Sequence, residues 1–353
     1  MGDVNVNNAK HIIAELINND ADDKINYAKV VELLFEINQD IINTYQKTAI
    51  VTLLSRKLNE KIPYQVLSCL ANKFFESSNK INLLKDNRTT IDVCGTGGDG
   101  VGTINISSAV ALLLSFSDDF AVVKHGNIAV SSKSGSADIF KLLGFDFSID
   151  KQYEYIKRYN IAFLLAPLYN NAFVNFAEIR KNLGIKTIFN FIGPLINPAS
   201  PDIQIIGISS QDVLGYAKAC LLSNHKNFAI VSSLDGLDEI SAIAPTKILY
   251  CFDGVLSEEI TISPLDFGVR EQYSMNQILG KDSNYNFQKI KDLFDVKNNQ
   301  SQDIKCLRDF VLINAAMCFY LKNNKDNLKT CYQKAMDIYE KICNNNLFFN
   351  IKD

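Results

Sequence analysis

The sequence predicts an α/β protein: a small N-terminal helical domain over residues 1–84, then a large α/β domain over residues 89–353 with a central, mostly parallel sheet. Two observations carry this prediction. Residues 8 to 84 show helical periodicity alone, with apolar side chains at three- and four-residue steps. From Thr89 onward, short apolar runs alternate with helical segments, the pattern of parallel strands covered by helices.

In the first region Ile12-Ile13 with Leu16-Ile17, Val30-Val31 with Leu34, Ile50 with Leu53-Leu54, and Val66-Leu67 with Leu70 mark helices. Pro63 suits the first turn of the last of them. Lys85–Arg88 reads as a polar linker. Strands are expected at Ile91–Cys94, Phe120–Val123, Ile203–Ile208 and Phe228–Val231, with helices at Asn105–Ser115, Ser136–Leu143 and Gln211–Leu222. Gln152–Lys181 reads as helical, and residues 165–190 are expected to pack on the N-terminal helices. Lys247–Ile262 reads as strand, turn, strand, with Asp253-Gly254 as the hairpin signal. A variable polar loop is expected over 285–303, then helices near 304–322 and 325–344.

With 353 residues, 47% of them apolar, the chain can bury a sizeable core. Its net charge of −3, with no long basic run, argues against a duplex-binding protein. Eight scattered cysteines without a C-x-x-C pair, and only three histidines, argue against zinc and for reduced thiols in the cytoplasm. No apolar run is long enough to span a membrane. The N-terminus carries no signal-like run, and Val6 stands where a myristoylation start wants Ser or Thr.

The most informative stretch is Asp92–Ser107, where Gly95, Gly97, Gly98, Gly100 and Gly102 lie between an apolar strand and an apolar helix. Glycine lets the backbone approach closely and take positive φ, and the following helix offers free N–H groups, so the stretch suits a phosphate. No Lys-Ser/Thr follows the last glycine, so it is not the nucleotide P-loop. The next strand ends in Lys124 rather than an acid, which sets aside dinucleotide binding.

A second motif, Lys124-His125-Gly126-Asn127, ends a strand and precedes Ser131–Ser136 at a helix start, where Ser134 or Ser136 can cap. Alone, His125 is more simply a hydrogen-bonded core histidine; between Lys124 and Asn127 it reads as lining a site. A third, Asp238-Glu239, follows a strand. An acidic pair is usually a solvated turn, but beside two phosphate loops it suits one or two Mg²⁺ ions. In a fourth, Arg180 ends a helix, where the dipole alone explains a cation, or it recognises a substrate carboxylate. Gly193-Pro194 and Asn197-Pro198 read as turns that shape a hinge or pocket wall.

In order, Gly-Thr-Gly-Gly-Asp (95–99), Lys-His-Gly-Asn (124–127), Ser-Gly-Ser-Ala-Asp (134–138), Gly-Ile-Lys-Thr-Ile-Phe-Asn (184–190), Gly-Pro-Leu-Ile-Asn-Pro-Ala (193–199) and Gly-Leu-Asp-Glu-Ile-Ser (236–241) resemble the anthranilate phosphoribosyltransferase family, over residues 40 to 345. The resemblance implies a cleft between the two domains, binding of phosphoribosyl pyrophosphate with Mg²⁺, and transfer of the phosphoribosyl group to the amine of anthranilate in tryptophan biosynthesis. It implies a homodimer through the helical domains. Gly95, Thr96, Gly98, Asp99 and Thr103 would line the donor site, and Asn105, Ser107, Lys124 and Ser136 would contact its phosphates or their metal. Ser107, Asp238 and Glu239 would hold Mg²⁺. Gly95 and Asn127 would face the acceptor amine and Arg180 its carboxylate, with His125 helping to position the acceptor; no residue reads as a general base.

Three positions depart from the family pattern. Asn170-Asn171-Ala172 replaces His-Pro-Ala, Ile128 replaces the Arg after Lys-His-Gly-Asn, and Lys186 replaces the Arg of Gly-Ile-Arg. The first two are expected on the acceptor side, so donor use is the firmer half of the reading. A different aromatic acceptor, a pyrimidine nucleoside phosphorylase-like enzyme, and a non-enzymatic nucleic-acid binder on the same scaffold are the alternatives.

Overall fold

A computed structural model of the chain describes residues 6–18, 25–37, 41–56, 58, 61–83, 87–98, 100–128, 133–298, 300–323 and 326–348. The N-terminal region is four helices: α1 (Val6–Asn18), α2 (Tyr27–Phe35), α3 (Thr44–Ser55) and α4 (Tyr64–Glu76). Each buries the stripe that its periodicity marks, including Ile12 and Leu16, Val30 and Leu34, Ile50 and Leu54, and Val66 and Leu70. Asn43 caps α3 reciprocally with Gln46, each side chain accepting the other's backbone N–H at 3.0 Å. Pro63 is the N-cap residue of α4, one position outside the helix.

The remainder alternates strands and helices. In chain order these are β1 (Thr89–Gly95), α5 (Ile106–Leu114), β2 (Phe120–Gly126), α6 (Ser136–Leu142), α7 (Ile149–Tyr159), β3 (Ile161–Leu165), α8 (Ala166–Tyr169), α9 (Val174–Leu183), α10 (Ile188–Ile192), β4 (Ile203–Gly207), α11 (Val213–Leu222), β5 (Phe228–Ser233), β6 (Thr246–Phe252), β7 (Val255–Leu256), β8 (Ile260–Ile262), α12 (Ser283–Phe294), α13 (Gln302–Lys322) and α14 (Leu328–Asn344). They form one sheet in the order β3-β2-β1-β4-β5-β6-β7, with β8 also on β6. The pairs from β3 through β5 are parallel and those involving β6 antiparallel. The strand order reverses between β1 and β4, and crevices at such points bind ligands beyond the carboxyl ends of the strands.

Both faces of the sheet are covered, so the strands read as near-continuous apolar runs. Ile203, Ile205, Ala229 and Val231 pack with α5, α12, α13 and α14 on one face. Ile206, Ile208, Phe228 and Ile230 pack on the other with the N-terminal helices, α9, α10 and α11. Phe176 of α9 lies fully buried against Phe35, Phe74 and Phe189, a burial that contributes about 1.5–3 kcal/mol per ring. Asp253 (φ 49°) and Gly254 (φ 83°) form the left-handed pair of a two-residue hairpin between β6 and β7.

The structure corrects three expectations. Residues 152–181 are not helical throughout: Ile161–Leu165 is the edge strand β3, started by left-handed Asn160 at the end of α7. Residues 285–303 are not simply a loop, because α12 covers 283–294, capped by Asp282, and α13 begins at Gln302. Neither Ser134 nor Ser136 caps α6; Gly135 does, and its N–H donates to Asp138 Oδ2 at 2.8 Å. The linker residues Lys85 and Asp86, and Asp99, Ser131 and Ser132 of the two loops, lie outside the described residues.

Candidate active site

Four loops meet at the carboxyl edge of the parallel strands: the glycine loop after β1, the end of β2, the turn after β4, and Asp238-Glu239 after β5. Register places Gly95 beside Gly207 at the switch point. A Cβ at Gly207 would sit 1.6 Å from the Asp238 carbonyl oxygen, and one at Gly95 would sit 2.2 Å from Asp238 Oδ2. Both strands must therefore end in glycine for the acidic segment to cross them. The Asp238 carboxylate then accepts the Gly97 N–H at 2.6 Å, and Glu239 Oε1 accepts the Ser107 N–H, at the start of α5, at 3.2 Å. The acidic pair is thus a brace for the glycine loop and for the helix that follows it.

Gly97, Gly98, Gly100 and Gly102 all take φ between 66° and 77°, a conformation that side chains resist. The far end of the loop is pinned where Thr103 bridges Leu279 and Ile104 donates to the Ile278 carbonyl. Asn105 is occupied in tying loops together: it donates to the Ser134 carbonyl and accepts from Ser134 Oγ and Asn286 Nδ2. Asn286 belongs to α12, so the helix hidden in the expected polar loop supports the site.

Lys124 is buried to 1% exposure at the end of β2, donating to the Val93 carbonyl at 2.7 Å and to Ser107 Oγ at 3.2 Å. An ammonium has three donors, and these bonds occupy two. Gly126 lets Ser136 close in, since a Cβ there would meet Ser136 Oγ at 2.2 Å. His125 Nδ1 donates to the Gly193 carbonyl at 3.1 Å, which leaves Nε2 as an acceptor, and it is buried without a protein partner. Burial also pushes the His125 pKa down, so the ring is neutral.

These groups face a cavity of about 210 Å³ lined by Gly95, Thr96, Ser107, Lys124, His125, Asn127, Ser136 and Arg180 among the residues expected from sequence. The opposite wall consists of Ala166, Pro167, Phe173, Phe189, Asn190, Gly193 and Pro194. Arg180 stands 5.8 Å over the Phe173 ring, and burial pulls its pKa below the ordinary guanidinium value. No carboxylate among the described residues pairs with it. A desolvated cation without a counter-charge is costly, and an anionic ligand would relieve that cost.

Gly98, Thr103, Asn105, Asp238 and Glu239 stand outside the cavity wall, bracing or extending the loop. Asn170, Asn171 and Ile128 do not line it either. Asn170 is buried and donates to the Phe74 carbonyl at the end of α4, while Asn171 and Ile128 are exposed. Phe173 was missed in the sequence, although its place seven residues before Arg180, two helical turns, was a usable signal.

Residues 87–341 match the model of a glycosyl transferase family, α/β domain. An anthranilate phosphoribosyltransferase from Caldicellulosiruptor saccharolyticus is 36% identical over 299 residues, 84% of each chain. The chain belongs to the anthranilate phosphoribosyltransferase family. A member from Clostridium kluyveri is 34% identical over 88% of this chain and 93% of its own. Among solved structures, the Saccharomyces cerevisiae enzyme in complex with PRPP and Mg superposes with a TM-score of 0.82 at 24% identity, covering 99% of this chain and 98% of its own. The Thermus thermophilus enzyme superposes at 0.80 and 23% identity, covering 98% of each. These two likenesses bear on the fold, and members of the family are glycosyltransferases.

Proposed function

We propose that this protein transfers the phosphoribosyl group of phosphoribosyl pyrophosphate (PRPP) to the amine of anthranilate and releases pyrophosphate, as in tryptophan biosynthesis. The carrying observation is one cavity with a phosphate-type wall, of glycine loop, helix start and buried lysine, facing an aromatic wall that holds an arginine with no carboxylate partner among the described residues.

On the donor side, the loop of Gly95, Thr96 and Gly98 with Ser107, Lys124 and Ser136 binds the phosphates. Asp238 and Glu239 suit Mg²⁺, because they are hard oxygen donors next to the loop. No group of three His, Cys, Asp or Glu side chains among the described residues could form a closed protein cage, and Mg²⁺ at phosphate sites keeps open positions for water and phosphate oxygens. When bound it would neutralise charge on the pyrophosphate. Lys124 adds a fixed positive charge in a site that needs no reorganisation as the anomeric C–O bond breaks and the C–N bond forms. On the acceptor side, Arg180 holds the carboxylate as a planar fork, Phe173 and Phe189 flank the ring, and Asn127 and His125 position the amine. An arylamine reacts as the neutral base, so positioning matters more than deprotonation.

The protein works as a cytoplasmic homodimer in this reading. Ile17, Ile37 and Tyr45 of the helical region are 58%, 75% and 86% exposed, and a dimer through that region would cover some of them. The eight cysteines are free thiols, as a reducing compartment would keep them. Light scattering reading a single chain mass would remove the dimer.

The reaction is tested by mixing the protein with PRPP, Mg²⁺ and anthranilate and following anthranilate fluorescence. Loss that requires all three and disappears in Asp238→Asn/Glu239→Gln supports the reading. Pyrophosphate release only with other aromatic amines would keep the donor half and replace anthranilate as the acceptor.

A further inference from the structure

The connector between α9 and α10 is anchored at both ends. Gly184 closes α9 at φ 61°, and the N–H of Ile188 donates to Ser55 Oγ of α3 at 2.9 Å. From this fixed segment Lys186 crosses to the glycine loop. A Cβ built on Gly98 would meet Lys186 Cδ at 2.9 Å and Cγ at 3.2 Å, so the lysine stem lies flat on that glycine. The ammonium donates to Ser209 Oγ, in the turn after β4, and sits 4.4 Å from the centre of the Phe191 ring. Ser209 Oγ donates in turn to the Gly97 carbonyl at 3.4 Å, and the N–H of the same residue is held by Asp238. A charged donor polarises the hydroxyl and strengthens its onward hydrogen bond. Gly97 is therefore gripped from both sides, by Asp238 at its N–H and by Lys186 acting through Ser209 at its carbonyl.

We infer that Lys186 is a positioning residue for the donor loop. Its stem covers Gly98 and its ammonium acts through Ser209 on the Gly97 carbonyl, while the arm itself, with Arg180 on it, is held by its own anchors at Gly184 and Ile188. Arg180 lies six residues upstream on that arm, with the end of α9, Gly184 and Ile185 between. The inference rests on the reaction proposed above, because it takes the glycine loop to be the donor site.

Steady-state kinetics of the full chain test it, with Lys186→Met keeping the stem and removing the charge, Ser209→Ala removing the relay, and the double variant closing the cycle. Each single variant is expected to raise KM for PRPP about tenfold, the scale of one hydrogen bond to a charged group. The anthranilate KM should change by less than about twofold, and the double variant should be no worse than either single, because both remove one link. Lys186→Arg should restore the donor KM. Unchanged PRPP KM in both single variants, or multiplying effects in the double, would overturn the inference. If Lys186→Met does not fold, Ser209→Ala reads the same link. If the wild type binds PRPP but leaves anthranilate untouched, the proposed reaction falls while PRPP affinity by calorimetry still tests the brace. If it does not bind PRPP, both fall.

Discussion

Arg180 and Asn170 show how ten residues of separation divide function from support. Arg180 is desolvated, 5.8 Å from the centre of the Phe173 ring and without an anionic partner among the described residues. Replacing it with Leu should raise KM for anthranilate by about 10²-fold, the loss of a charge-assisted pair, with KM for PRPP near its starting value, in the same fluorescence assay. Asn170 donates to the Phe74 carbonyl at 2.7 Å and does not reach the cavity. The Phe74 carbonyl also accepts from Ser77 Oγ at 3.0 Å, so Asn170→Ala should cost about 0.5–1.5 kcal/mol of stability, the net worth of one hydrogen bond, without changing the anthranilate KM; urea unfolding reads the first and kinetics the second. His125, which is buried, and His225, which is partly buried, give a pH dependence. Burial depresses the pKa of both His125 and His225, so the unfolded chain takes up these protons first as pH falls. Their contribution is fully present above about pH 6.5, the ordinary histidine value, and is lost as pH drops through the folded values. The melting temperature should decline from pH 7 to 5.5 on that account, and His225→Asn should flatten the decline.

At the scale of elements, the strands that end at the site were legible because each is a short apolar run closed by glycine or a polar motif. Gly126 and Gly207 end β2 and β4, and Gly95 ends β1. Ile161–Leu165 was not legible as a strand, since five apolar residues directly after a helical pattern have no period of their own and only Asn160 marks the break. Helix α12 was hidden by composition: Asn286, Ile290, Leu293 and Phe294 alone face inward among polar neighbours, although Asp282 before Ser283 was a readable cap. The residue types of the site could be read from their motifs, but the bond between Gly97 and Asp238, 141 positions apart, could not, because only the sheet order brings them together. That contact also yields a prediction. Gly207→Ala would drive a methyl group to 1.6 Å from the Asp238 carbonyl. It should destabilise by more than about 3 kcal/mol, beyond the usual range for overpacking, and soluble yield with urea unfolding would show it.

For the whole molecule, the cavity lies between the carboxyl edge of the sheet and α9 with the segment before it. Its donor wall stands on the sheet, whereas Arg180 and Phe173 ride on α9 and the segment before it, which pack on the N-terminal helices. A ligand touching both walls should hold them together. PRPP with Mg²⁺ at a hundredfold excess over Kd should stabilise the fold by about 2.7 kcal/mol, seen as a raised melting temperature that chelator removes. No helix among the described residues is long and apolar enough to cross a membrane. Asp238 has a last consequence, for anyone wishing to redesign the enzyme. Its main chain rests on Gly207 and its carboxylate on Gly95, so two strands have given up their side chains to accommodate it, and that carboxylate also accepts the Gly97 N–H. A side chain added at Gly95 or Gly207 meets a collision before it meets a benefit. Variation under selection should therefore accumulate on the aromatic wall at the half-buried Phe173 sooner than at Phe189, which is packed against Phe74 and Phe176, and new acceptors should be reachable before new donors.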